Sequence, residues 1–108
     1  MLVNDNRLEK ALTKLAQSDE LIAQLHADVE RAEYKAKAMK DALFLTSVGS
    51  VAERNAMAGT PPDYDKAMED YFTAMQNHET LKNERNREIL VIDVWRSLSS
   101  ARTKGIIQ

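Results

Sequence analysis

The residues of this chain that could do chemistry are few, and the most conspicuous are cationic. From Val94 onward the sequence carries Trp95, Arg96, Arg102 and Lys104 and no acidic residue. On a helix Trp95 and Arg102, seven apart, share a face, with Arg96 and Ser99 or Ser100 beside them. A cationic end with one aromatic suits contact with phosphates or stacking of a base. The plainer use of the same residues is an indole in the core and cations that complement the negative end of a last helix. A second group, Arg85, Asn86 and Arg87, sits inside the polar run Lys82–Glu88. Arg85 falls where an apolar seam should pass, so it is expected to pair with an acid such as Asp19, Glu20 or Asp28 and set helix register rather than bind a ligand.

Nothing else converges on a reaction. The two histidines lack a second ligand at metal spacing: His26 stands four before Glu30, and His78 four before Lys82. His78 lies on a helical apolar stripe, where a hydrogen-bonded, partly buried ring is the ordinary outcome. No phosphate loop, Gly-rich nucleotide fingerprint or zinc-protease motif occurs. With no cysteine, a nucleophile would have to be Ser or Thr, and Ser47, Ser50, Ser97, Ser99 and Ser100 all suit caps or exposed helical positions. Asp19-Glu20 and Glu69-Asp70 are adjacent, so on a helix they diverge. We therefore expect a protein that is not an enzyme, with no catalytic residue, metal or cofactor.

Composition narrows the class. In 108 residues, charged side chains make up 30% and aromatics 6%, with three Gly and two Pro, which suits long helices and disfavours sheet. The net charge is −2 with acids and bases well mixed, so no global field marks a nucleic acid or membrane partner. Met1-Leu2-Val3 runs straight into Asn4-Asp5-Asn6, and no apolar run exceeds four residues, Ile89-Leu90-Val91-Ile92 ending at Asp93. No signal or membrane segment is expected, and the protein is expected in the cytoplasm.

The elements that must position these residues follow from periodicity. Leu8, Leu15, Ile22, Val29, Ala36 and Leu43 fall seven apart, and Ala11, Ser18, Leu25, Ala32 and Met39 fill positions three later. That 3.5-residue repeat predicts one long helix over about 5–47, capped near Asn4 to Asn6, with a narrow coiled-coil seam. Gly49 interrupts it, and Ser50-Val51-Ala52-Glu53 has capping-box spacing for a short helix over about 51–58. Gly59 would close that helix; Thr60 would cap the next, with Pro61 in its first position. The last helix is expected over about 61–102. It carries Tyr64, Met68 or Ala67, Tyr71, Met75 or Ala74, His78 and Leu81, then the polar run, then Ile89, Ile92, Trp95 and Leu98. Residues 103–108 should fray. Two long helices joined by a short corner pack antiparallel. The expected fold is a single all-α domain over 1–108: an elongated, coiled-coil-like antiparallel helical hairpin with a short corner helix. Phe44, Leu45, Phe72 and the Ile89–Trp95 segment leave apolar surface that a lone pair does not cover, so two hairpins should associate as a homodimeric bundle.

Gly49-Ser50-Val51-Ala52-Glu53-Arg54-Asn55-Ala56, Tyr64, Ala67, Asp70-Tyr71, Leu81 and Ile92 through Arg102 together resemble a group of small helical proteins of tailed phages and prophages. These are often encoded near recombination or replication genes. The likeness covers about the last 60 residues, and the first helix matches only in being a coiled coil. It implies an accessory protein of phage DNA recombination or replication in the host cytoplasm, acting through protein or DNA contacts. Arg54, Arg85, Arg87, Trp95, Arg96, Arg102 and Lys104 are the residues expected to carry those contacts. The alternatives are an inhibitor that docks on a host nuclease or defence complex, its acidic faces imitating a phosphate backbone, and a plain scaffold module.

Overall fold

A computed structural model describes residues 3–58 and 62–105. They form three helices and, among the described residues, no strand: α1 (Asp5–Thr46), α2 (Val51–Ala58) and α3 (Pro62–Thr103), of 42, 8 and 42 residues. Among the described residues no helix is long and apolar enough to cross a membrane. The expected Gly59 closure, Thr60 cap and Pro61 start lie outside the described residues, as does the tail beyond Gly105.

The helix ends obey local chemistry. Asn4 caps α1: its Oδ1 accepts from the Arg7 amide at 2.8 Å and its carbonyl from the Leu8 amide at 3.0 Å. Ser50 caps α2, its Oγ accepting from the Glu53 amide at 3.2 Å. Gly49 turns the chain between α1 and α2 with φ +123°, and the Glu53 carboxylate folds back over it. Thr103 continues α3 by one turn position past the expected end, and Gly105, φ +75°, closes it by donating to the Arg102 carbonyl at 3.0 Å.

The chain divides into two compact units. One is built from the residues up to Ala23 and those from Glu79 on; the other runs from Gln24 to His78. In the first, Trp95 meets Asp5, Glu88 meets Arg7 and Arg85 meets Ser18, so α1 and α3 run antiparallel. In the second, the His26 ring lies 5.5 Å from His78 and Lys40 lies 5.9 Å over Tyr64, again antiparallel. Within each unit, then, α1 and α3 pair as in the expected all-α helical hairpin.

The seam of α1 follows the heptad residue for residue: Ala11 is 0% and Ala36 4% exposed, and the other positions from Leu8 to Leu43 are half-buried. On α3 the inward positions are Tyr64, Ala67, Tyr71, Ala74, His78 and Leu81, then Arg85, Glu88, Ile92 and Trp95. Ala74 rather than Met75 takes its place in the stripe. Among the described residues no large side chain is fully buried, so the core is one thin strip.

Candidate functional site

The most concentrated chemistry lies in the first unit, where the seam turns polar. Two residues one helical turn apart on α3, Arg85 and Glu88, occupy seam positions that the heptad would give to aliphatic side chains. Glu88 is 7% exposed. Its Oε1 accepts from Arg7 Nη2 at 3.0 Å and from Lys14 Nζ at 3.5 Å, both on α1. Arg7 Nη1 also lies 2.8 Å from Glu88 Oε2, an ion contact whose geometry falls outside hydrogen bonding. The hydrogen-bonded Arg7 guanidinium holds the Glu88 carboxyl below its ordinary range, against burial that pulls it upward; the charge of Lys14 adds to the lowering. Arg7 is pushed the opposite way by the same contact.

Arg85 reaches across the strip in the same unit. Its Nη1 donates to the Leu15 carbonyl at 2.9 Å and to Ser18 Oγ at 2.8 Å, and its Nη2 to Asp19 Oδ1 at 3.4 Å. Ser18 itself donates to the Lys14 carbonyl at 2.7 Å, so one small polar residue in the α1 seam opens a slot for the guanidinium. Asp19 is one of the three acids that sequence spacing offered; the carbonyl and hydroxyl contacts are additional. These contacts engage Arg85 wholly within the hairpin pair, whereas Arg7 Nη1 and Glu88 Oε2 are buried without a hydrogen-bond partner.

Glu88 is the residue that the residue-by-residue reading passes over. Taking Ile89 as the resumption of the apolar stripe puts a side chain inside that is in fact 45% exposed. The step of seven from Ala67 through Ala74 and Leu81 leads to Glu88 and then Trp95, and would have found it.

The other cationic and aromatic candidates are spread out. Trp95 is half-buried, and its indole N–H donates to Asp5 Oδ1 at 3.1 Å. Arg96 is exposed and 3.9 Å from Asp93 on its own helix. Arg96, Ser97, Ser100 and Lys104 line a shallow depression near the end of α3, while Arg102 is exposed in the last turn. Arg87 is exposed beside a groove whose walls include Lys14 and Glu84. Arg54 belongs to the second unit: half-buried in α2, it lies 5.9 Å over the Phe44 ring. In the first unit, then, the structure gathers Arg85 with the Glu88 cluster, and Arg96 with Lys104.

The second unit holds an open groove of about 770 Å³ between α1 and α3. Ala32, Met39 and Ala67 contribute to its apolar lining, with Tyr34 and Ala38 alongside. Charged side chains edge it: Asp28, Arg31 and Lys35 from α1, and Asp63, Lys66 and Asp70 from α3. His26 pairs with Glu30 at 3.2 Å, and no group of three or more metal-ligating side chains occurs among the described residues. The sequence matches no protein-family model, no curated protein and no solved structure.

Proposed function

We propose that this protein is a non-enzymatic interaction module that works as a homodimer of helical hairpins and docks on a protein partner. The supporting observation is exposed apolar surface in both units: Leu12 is 52% and Leu90 61% exposed in the first, Leu45 75% and Phe72 57% in the second. A one-strip core stabilises a chain of this length weakly, and a second copy adds the missing cover. Sedimentation equilibrium at micromolar concentration tests the proposal, with twice the 12.2 kDa chain mass expected. A single-chain mass, with a melting temperature independent of concentration, refutes it.

A second reading, contact with DNA phosphates, is favoured by the acid-free depression lined by Arg96 and Lys104. Binding to a short duplex should fall steeply as salt rises and vanish in Arg96→Glu/Arg102→Glu. Absence of binding at low salt removes it.

A further inference from the structure

We infer that the groove of the second unit is the face on which a second copy seats, with α1 of one chain against α3 of the other. The inference rests on the homodimer proposed above and specifies its surface. Its first support is the lining: Ala32, Met39 and Ala67 are apolar and two of them are small, which lets a facing helix approach closely. The second is charge. The α1 wall, Asp28, Arg31 and Lys35, carries net +1, and the α3 wall, Asp63, Lys66 and Asp70, net −1. Arg31 is engaged on its own helix by Asp28 at 2.9 Å. Lys35, Lys66, Asp63 and Asp70 make no ion pair among the described residues.

Two such grooves related by a two-fold axis along the helices put each α1 wall against the other chain's α3 wall at the same level. The two opposite-sign contacts are then made twice, as an isologous interface requires. Neighbouring helices run antiparallel throughout, as in a four-helix bundle. The occupant is therefore a second copy of this chain, since the face complements itself.

Two charge-reversed full-length chains test this: one with Arg31→Glu and Lys35→Glu, the other with Asp63→Lys and Asp70→Lys. Wild type should have twice the chain mass. Each variant alone places like charges on both contacts and should fall to a single-chain mass while keeping its helical circular dichroism. Mixing the two restores opposite charges at both contacts and should return twice the chain mass as a heterodimer. If wild type is dimeric but either variant stays dimeric, or if mixing restores nothing, this face is wrong and the homodimer stands. If wild type is itself a single chain, the homodimer fails and this face with it.

Discussion

Arg7 and Glu88 face each other across the hairpin at 2.8 Å, joining the first turn of α1 to the last residue of the polar run of α3. Glu88 is buried and Arg7 partly exposed, so the pair is anchored at one end and solvated at the other. Truncating Glu88 to Ala should lower stability by about 1.5 kcal/mol, the low end for hydrogen bonds to charged groups, because solvent screens the exposed cations. Replacing the pair, Arg7→Met with Glu88→Leu, should be neutral or stabilising, since aliphatic side chains fit the seam without leaving a charge unpaired. Chemical denaturation of both variants measures the two signs.

The same pair fixes an acid limb. The folded Glu88 carboxyl titrates below its ordinary value of 4.5, held down chiefly by the Arg7 hydrogen bond. A depressed folded pKa means that the contact stabilises fully above the unfolded value and loses its effect as pH falls through the lower folded one. The stability difference between wild type and Glu88→Gln should therefore be constant at neutral pH and shrink below about pH 4.5. Thermal melts of both proteins across that range check it; a difference that grows on acidification contradicts the sign.

Arg85 and Ser18 act as one unit. Removing either leaves the other's polar atoms short of a partner in a half-buried slot, so Arg85→Met and Ser18→Ala should be non-additive. A double-mutant cycle should return a coupling of about 1 kcal/mol. Additive losses would mean that the Leu15 carbonyl and Asp19 hold the guanidinium without Ser18.

Gly49 has φ +123°, and a Cβ there would collide with the Glu53 carboxylate that folds over it. Gly49→Ala should cost about 1–2 kcal/mol through backbone strain. Adding Glu53→Ala should recover only the collision, leaving most of the loss, as read from urea midpoints.

Much of the fold was legible beforehand because its signals are local and periodic. The heptad from Leu8 to Leu43, the Asn4 and Ser50 caps and the Gly49 break each act within a turn or two of chain. What escaped was the polar middle of α3. Hydrophobicity alone reads Lys82–Glu88 as a stripe interrupted, because a buried carboxylate is intelligible only once Arg7 and Lys14, far away in sequence, stand beside it. Candidate contact residues were less legible for a related reason. Residue type leaves Trp95 as either a core indole or a stacking platform, and no local pattern announces that Asp5, at the opposite end of the sequence, accepts from its indole N–H.

Ala11 and Ala36 are enclosed almost completely, which leaves no space at those two layers for anything longer than a methyl group. Ala11→Leu should cost about 1–3 kcal/mol by overpacking. The wider consequence concerns sequence drift: at these two layers α1 tolerates only side chains about as small as alanine, whereas the half-buried seam positions between them can trade one aliphatic group for another.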